Sequence, residues 1–559
     1  MLIKKLSVLM LNLLLLTSCA STPSTSDIST TSISSEETTS ESSETTETTS
    51  EETTTSEELE DLEIRSITLL GVYETSEIDI INKLDNETFK YEIPSDALRI
   101  ENNKVIALRG NTKTKVNVTS SLGRNGAFNV TIRNRAYSST HSATEASEKW
   151  FNEVSINKID KLTASFANGM DISSFKQLYD NGQRFYDKNG NETALPLLLK
   201  DNGVNFIRLR LWVDPYDTWE ENGETKTYLY GGGNCTTDNV LWMAKECVSV
   251  GLKVLLNFHY SDFWTDPSHQ IIPKRWKDIK TNTELANAVY NYTKETLTLF
   301  KENNCLPSIV ALGNEIYNGL FAHNPGGITK EMRNGELPYY SYNKTERTDS
   351  TNAKYDHTDS KTSTPNANLR MYLSSAIRAV RNVDKSIETM VHFVRGFSDT
   401  ARTIRFFNVI NDLDFDIYSV SAYPYSHWSN KTQMKNGIST IASAFPNKKF
   451  MVAEVSYGFT YESDVNAKHM FAPEGQLRPI SDYPVSIQGQ ANLIHDITEA
   501  VASQANGYGV FYWEGAWTPT KNSGWADASS KASYANQALV SYNGKALGSL
   551  EVYKKMLGN

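Results

Sequence analysis

Apolar runs and helical segments alternate along the chain from about residue 161 to its end. The apolar runs are ASFANGMDIS, VNFIRLRLW, KVLLNFHYS, SIVALGNE, ETMVHFVRG, FDIYSVSAYP, KFMVAEVSY and YGVFYWEGAW. Between them, apolar residues recur at helical spacing, as in the set Leu285, Val289 and Tyr292. Eight strands with intervening helices over residues 161–559 predict an α/β fold, the (β/α)8 TIM barrel. A doubly wound open sheet is the alternative, although the sequence lacks the Gly-rich phosphate turn that typically follows its first strand.

Shorter β-rich pieces precede this region. The pieces LRIENNKVIALRG, TKVNVTSS and AFNVTIRN, separated by turn residues, predict a small all-β sandwich over residues 61–140. Their order resembles that of bacterial immunoglobulin-like domains. Nothing in these pieces points to catalysis, so we interpret the region as a spacer or stalk.

The first 60 residues contain a targeting signal and a polar tether. Two lysines, an apolar stretch and the sequence LTSC, which ends at Cys19, resemble a bacterial lipobox. Residues 1–19 are therefore predicted to be a lipoprotein signal peptide; a plain signal peptide with a chance Cys19 is the alternative. Residues 20–60 are almost entirely Ser, Thr and Glu, which predicts a solvated, self-repelling linker. We expect a protein that a lipid anchor holds on the extracellular side of the cell membrane.

The net charge and the cysteine spacing exclude some classes of partner and metal site. The formal net charge of −11 argues against nucleic acid as a partner, and we expect a monomer. The spacing of Cys235, Cys247 and Cys305 fits no zinc or redox pattern. We predict buried free thiols, with a Cys235–Cys247 bridge as the alternative.

Almost every predicted barrel strand ends in a side chain that can hydrogen-bond or stack. In a (β/α)8 barrel these carboxyl ends carry the active site. The groups in chain order are Asp171, Arg208, Arg210, Trp212, His259, Asp262, Asn314, Glu315, His392, Tyr423, Glu454, Trp513 and Glu514. Such groups at nearly every strand end indicate a ligand-binding or catalytic cleft.

Glu315 and Glu454 are the pair with the clearest chemistry. Each ends an apolar strand, and their strands lie three positions apart in the predicted ring. Two carboxyl groups about 5 Å apart are typical of a retaining glycosidase, in which one is the nucleophile and the other the acid/base. The alternative is that either glutamate lines the barrel in an ion pair with Arg208 or Arg210.

Several blocks resemble one enzyme family in sequence and in order. NFIRLRLWVDPYD, HYSDFWTDP, ALGNEIYNGL, MVAEVSYGFTYES and GVFYWEGAWTP are similar to the family 53 glycoside hydrolases, the endo-β-1,4-galactanases. The resemblance covers about residues 161–559. It implies a retaining, endo-acting enzyme that cleaves β-1,4-galactan, including type I arabinogalactan, the side chains of pectin.

The resemblance also implies site roles. Glu315 would be the acid/base and Glu454 the nucleophile, with Asn314 on the sugar 2-hydroxyl. Arg208 and His259 would support the −1 subsite, and Trp513 would be a stacking platform. Further cleft candidates are Asp262, Trp264, Tyr423 and Trp517. Another β-glycan as substrate, or a non-catalytic glycan-binding lipoprotein, are the alternatives.

Two stretches depart from the family pattern. Bacterial relatives can carry a calcium loop after strand 7, and the matching positions here are Asp464, Asn466, Lys468 and Met470. Lysine is no ligand for a hard cation, so we expect no required cofactor and keep Asp464 and Asn466 as weak calcium candidates. A polar insertion at about residues 324–368 contains three tyrosines and either extends the cleft or forms a surface loop.

Overall fold

The structure is a computed structural model. It describes residues 59–137, 148–327, 329–334, 344–394, 396–462, 464, 469–526 and 532–558. The chain divides into two units, Met1–Leu59 and Glu60–Asn559. Cys19 and the Ser/Thr/Glu linker before Leu59 lie outside the described residues, as do Asn466, Lys468 and the tyrosines at 339, 340 and 342. Within the described ranges, no helix is long and apolar enough to span a bilayer.

Eight parallel strands close into a barrel, which confirms the predicted fold. Each strand pairs with the next along the chain, and strand 8 returns to strand 1 through pairs from Gly509↔Ala167 to Tyr512↔Met170. We name them barrel strands 1 to 8: Ala167–Asp171, Phe206–Leu211, Lys253–Phe258, Ile309–Leu312, Glu388–Phe393, Ile417–Ser421, Lys449–Val455 and Gly507–Tyr512. All eight correspond to the apolar runs of the sequence.

Helices surround the barrel. Their bounds are Phe175–Asp180, Leu195–Asp201, Thr237–Ser249, Asn282–Glu302, Lys330–Arg333, Thr364–Val383, Thr400–Ile410, Lys431–Ala444, Ile487–Ala502 and Val552–Met556. Leu285, Val289 and Tyr292 are buried on one face of the 21-residue helix, as their spacing predicts. The Thr281 side chain accepts a hydrogen bond from the Glu284 amide and so caps the start of this helix.

The barrel interior is filled by side chains from alternate strand positions. The inner cluster consists of Ala167, Phe206, Leu255, Ile309, Ala311, Met390, Ile417, Met451, Ala453 and Phe511. Gly169 makes room for one of them, since a Cβ there would lie 2.2 Å from the Phe511 ring. The floor of the barrel is therefore closed, and polar chemistry is confined to the carboxyl ends of the strands.

The N-terminal region forms two small sheets around one apolar cluster. Four strands, Ile67–Leu69, Asn125–Ile132, Thr112–Ser120 and Phe89–Glu92, make one sheet in that spatial order. The other contains Thr75–Glu77, Lys104–Ala107 and Leu98–Glu101. The all-β content agrees with the sequence, while the immunoglobulin-like identity stays a prediction.

These sheets are fastened to the barrel unit. Val72 and Leu108 pack into the core that the barrel helices form. The Leu108 carbonyl accepts a hydrogen bond from the Ala194 amide at 2.8 Å. Arg99 donates two hydrogen bonds, of 2.9 and 2.6 Å, to the buried carboxylate of Glu246. Apolar burial, backbone pairing and a two-point ion pair together hold the region in a fixed position on its neighbour.

Two inserted segments follow the carboxyl ends of barrel strands 2 and 4. An antiparallel hairpin, Tyr216–Glu221 with Glu224–Leu229, follows barrel strand 2 and was not predicted. The polar insertion is partly folded: Gly319–Leu320 pairs with Ala353–Lys354, and His323–Asn324 pairs with Thr345–Glu346. Its last residues, 364–368, form the first turn of helix Thr364–Val383.

The cysteines settle one open alternative. Cys235, Cys247 and Cys305 are buried free thiols, so the Cys235–Cys247 bridge is wrong. Burial raises the pKa of Cys235 to about 12 and that of Cys305 to about 11, which keeps both thiols protonated and unreactive.

Candidate active site

A cleft of about 220 Å³ opens at the carboxyl ends of the barrel strands. Its walls contain both glutamates singled out by the sequence. The lining residues are Arg210, Trp264, Thr265, Asp266, Asn314, Glu315, Tyr423, Glu454, Met470, Leu477, Trp513, Trp525 and Tyr534. Carboxyl groups and aromatic rings together make a site suited to a polar ligand with apolar faces.

Glu454 on barrel strand 7 is surrounded by donors. Arg208 donates a hydrogen bond of 2.6 Å to Oε1, and the Tyr423 hydroxyl donates one of 2.8 Å to Oε2. Burial raises the pKa of Glu454, but Arg208 and the Tyr423 hydroxyl oppose this effect. Both carboxylate oxygens thus face groups that favour the ionised form.

Glu315 lies just beyond barrel strand 4 in a different environment. Its backbone is left-handed, with φ at 48°, and the Gln270 amide holds the Glu315 carbonyl at 3.2 Å. Its Oε1 atom lies 2.5 Å from Ser421 Oγ. Burial, and then the nearby charge of Glu454, raise the pKa of Glu315 well above its ordinary value. The surroundings of Glu315 therefore favour its neutral form, whereas Arg208 and Tyr423 favour the ionised form of Glu454.

The side chain of Asn314 hydrogen-bonds to groups on several neighbouring segments. Its Oδ1 atom accepts hydrogen bonds from Arg208 at 2.7 Å and Asn257 at 2.9 Å, and its Nδ2 donates to the Thr265 carbonyl at 2.7 Å. His392 Nδ1 lies 3.2 Å from the same Oδ1. These four partners fix the orientation of the Asn314 amide.

Arg208 belongs to a buried network of alternating acidic and basic side chains. Asp171 accepts from Arg208 at 2.6 Å and from Arg210 at 3.1 Å, and Arg210 donates to Glu514 at 2.6 Å. Burial raises the pKa of Glu514 to about 7. The ion-pair alternative for Arg208 is thus real, but it joins the arginine to Glu454 within the cleft.

The aromatic wall is layered. Trp264 and Trp513 line the cleft. Arg210 lies over the Trp264 ring, 4.2 Å from its centroid. Trp517 is fully buried and stacks behind Trp264 at 6.4 Å, so it supports the wall without lining the cleft.

Two other predicted residues lie behind the cleft. His259 is buried, and its Nδ1 accepts a hydrogen bond from the Thr265 amide at 3.1 Å. The Asp262 carboxylate accepts from the backbone amides of Asp214 and Lys274 at 3.0 and 2.8 Å. Asp262 therefore fastens two loops together and is not brought to the cleft, in contrast to its prediction as a cleft residue.

The structure also brings in residues that the sequence reasoning missed. Ser421 at the end of barrel strand 6 reaches Glu315, and Asn257 on barrel strand 3 reaches Asn314. Tyr534 packs on Trp513 with ring centroids 4.7 Å apart. The available signal for Ser421 and Asn257 was a polar residue at or next to the carboxyl end of a barrel strand. Tyr534 follows no strand and carries no such signal.

The calcium candidates are only partly visible. Asp464 is buried, whereas Asn466 lies outside the described residues. Among the residues that the structure describes, no group of three or more His, Cys, Asp or Glu side chains is arranged to hold a metal ion.

Comparison with known proteins agrees with this geometry. The model of glycosyl hydrolase family 53 matches residues 167–553. The endo-β-1,4-galactanase of Bacillus subtilis is 31% identical over 432 residues, covering 71% of this chain and 88% of that protein. A probable arabinogalactan endo-β-1,4-galactanase A of Aspergillus terreus is 32% identical over 386 residues, covering 67% of this chain and 90% of that protein. The solved catalytic domain of a family 53 enzyme from Ignisphaera aggregans superposes with a TM-score of 0.59 at 33% identity, covering 72% of this chain and 99% of that one.

Proposed function

The chain belongs to glycosyl hydrolase family 53, and from that premise we propose that it is an endo-acting, retaining hydrolase of β-1,4-galactan, including type I arabinogalactan. The observation that carries the proposal is the pair of buried carboxyl groups in one cleft with opposite surroundings. Glu454 faces Arg208 and Tyr423, whereas Glu315 faces Ser421 and the charge of Glu454. The names of the relatives support galactan as the substrate.

In the first step Glu454 attacks the anomeric carbon while Glu315 gives its proton to the leaving glycosidic oxygen. One carbon–oxygen bond forms to Glu454 as the glycosidic bond breaks. Arg208 and Tyr423 hold the Glu454 carboxylate in place for this attack. In the second step water adds to the same carbon, Glu315 takes up its proton and Glu454 leaves as a carboxylate.

The aromatic wall explains how a neutral polymer binds. The C–H face of galactose can stack on Trp264 or Trp513, which line the cleft beside the carboxyl groups. Arg210 and Trp517 fix the orientation of Trp264 before substrate arrives. Such preorganisation lowers the entropy cost of ordering the sugar.

The substrate proposal predicts reducing-sugar release from potato galactan, with at most about a hundredth of that rate on mannan, xylan or β-glucan. Galactose in a β-1,4-galactan is linked through an axial O4, whereas mannose, xylose and glucose in 1,4-linked polymers are linked through an equatorial O4, so a cleft that fits one chain geometry fits the other poorly. Initial rates on all four polymers give the measurement, with the Glu454→Gln protein as the blank for contaminating activity. Faster release from one of the other polymers would assign the enzyme to that glycan. Early appearance of mixed oligosaccharides in product sizing tests the endo mode.

We also propose that Cys19 carries a lipid anchor that holds the enzyme on the outer face of the membrane. The lipobox-like LTSC sequence and the polar linker that follows it support this. Expression of the full chain with Cys19→Ser in a bacterial host that lipidates such sequences should move the protein from membrane to medium, with loss of palmitate label. Ser18→Ala keeps the cysteine and is the matched control. Retention of C19S on the membrane would contradict the anchor.

A further inference from the structure

Ser421 and His392 connect Glu315 to Asn314 through a line of buried hydrogen bonds. Ser421 Oγ lies 2.5 Å from Glu315 Oε1 and 2.9 Å from His392 Nε2. His392 Nδ1 lies 3.2 Å from Asn314 Oδ1. Ser421 and His392 are both fully buried. Each of these side chains has a fixed number of hydrogen-bond donors and acceptors, so the position of each shared proton follows from the contacts.

The amide of Asn314 fixes the first position. Its Nδ2 donates to the Thr265 carbonyl, which an amide oxygen could not do. Its Oδ1 accepts from Arg208 and Asn257, both of which have only protons to offer at these atoms. Oδ1 is therefore an acceptor towards His392 as well, and the proton of this contact lies on His392 Nδ1.

The charge of His392 fixes the second position. Burial and then the adjacent Arg208 lower the pKa of His392 well below its ordinary value, so the imidazole is neutral and carries one proton. With that proton on Nδ1, the Nε2 atom is an acceptor. Ser421 therefore donates its single proton to His392 Nε2, and its oxygen can only accept from Glu315. The hydrogen bonds are all satisfied when the Glu315 carboxyl group carries the proton.

We propose that Ser421 is a positioning residue whose hydroxyl turns between His392 and Glu315 as Glu315 gives up and regains its proton. The inference rests on the acid/base role proposed above for Glu315. When Glu315 protonates the leaving oxygen, the Ser421 hydroxyl turns away from Nε2 and donates to the new carboxylate. When Glu315 takes a proton from the attacking water, the hydroxyl returns to His392. No proton leaves Ser421 or His392 in either step.

The turn has a cost, because His392 Nε2 loses its donor whenever Glu315 is ionised. His392 thus favours the protonated acid, but only through the Ser421 hydroxyl. Among the described residues, the other ionisable or charged groups that act on Glu315 are Glu454, Asp266, Arg208, Tyr423 and Tyr534. Those that act on His392 are Arg208, His427 and His259. None of them is altered by the variants that follow.

The test is a double-mutant comparison of His392→Phe with and without Ser421→Ala. In His392→Phe the hydroxyl is free to donate to the Glu315 carboxylate, so the alkaline limb of kcat/KM should move down by about half a pH unit. In the Ser421→Ala background, adding His392→Phe should cause no further shift: the double variant and the Ser421→Ala single variant should have the same alkaline pKa in the pH profile of kcat/KM. Equal shifts in both backgrounds, or no shift in either, would overturn the proposal. Ser419→Ala is the matched control, since this buried serine of the same strand donates to the Val391 carbonyl at 3.2 Å and should not move the limb.

Two measurements without substrate separate this inference from the proposed activity. The carboxyl stretch in infrared difference spectra of wild type minus Glu315→Gln gives the pKa of Glu315 in every background. Nitrogen-15 chemical shifts of the wild-type protein should show His392 protonated at Nδ1 alone at neutral pH. The Nε2–H tautomer would overturn the inference even if no variant folds. Loss of galactan cleavage by the wild type would contradict only the proposed function.

Discussion

Replacing Glu454 by Gln is expected to lower kcat on galactan by at least about 10⁴-fold while the barrel stays folded. The amide has nearly the same shape as the carboxylate but cannot form the covalent bond to the anomeric carbon. Its oxygen can still accept from Arg208, and its NH2 group can face the Tyr423 hydroxyl, so both neighbours keep a partner. The loss should therefore appear in turnover, with galactan affinity largely retained.

Reducing-sugar release gives kcat, and affinity electrophoresis in galactan gives binding. Glu388→Gln is the matched control, because Glu388 begins barrel strand 5 and pairs with Lys449 at the opposite end of the barrel. That variant should turn over galactan at close to the wild-type rate. If Glu454→Gln kept more than about a hundredth of wild-type activity, another group would have to be the nucleophile. Binding without turnover in the wild type itself would favour the non-catalytic glycan-binding alternative.

The fold could be predicted from the sequence because parallel barrel strands are buried on both faces. Runs such as Ile309–Leu312 are therefore apolar throughout, and their number alone indicates the barrel. The same geometry places the ends of strands 4 and 7 at one opening, so the sequence itself predicts Glu315 and Glu454 as a pair. Strand order and the position of a residue at a strand end were sufficient for this part of the site.

The remaining contacts depend on side-chain depth, which a strand pattern does not give. Trp264 and Trp517 carry the same ring, yet one lines the cleft and the other is buried behind it. Asp262 lies three residues after His259, but its carboxylate turns to the backbone amides of two loops. A sequence shows that a polar group is present at the rim; only packing decides whether it faces substrate or scaffold.

Contacts between distant segments were likewise out of reach. The Arg99–Glu246 pair joins residues 147 positions apart, and neither belongs to a motif. The sheets of the N-terminal region gave a clear strand pattern but no sign of the surface on which they pack. Ser421 was hidden for a related reason, since its importance lies in the proton count of His392 and Asn314 on two other strands.

Removal of the Glu315 carboxyl group should separate the two halves of the reaction. In Glu315→Ala we expect kcat/KM on galactan to fall by about 10³-fold, because a sugar alkoxide is a poor leaving group unless the glycosidic oxygen is protonated. A 2,4-dinitrophenyl galactobioside should lose much less, since that phenolate needs no protonation to leave. Its glycosyl–Glu454 intermediate should then accumulate, because no base remains to activate water. A burst of dinitrophenolate equal to the enzyme concentration is the first measurement.

Azide makes the same variant a test of stereochemistry. A small anion can occupy the space of the missing carboxyl group and attack the anomeric carbon, which breaks the bond to Glu454 and forms a carbon–nitrogen bond. Steady-state turnover of the activated substrate should rise about tenfold or more, and the product should be the β-glycosyl azide. Two inversions at one carbon give β from β, so this product requires Glu454 to have formed a bond to the α face. An α-azide would instead mean direct displacement, and neither the double displacement nor the nucleophile assignment would survive it.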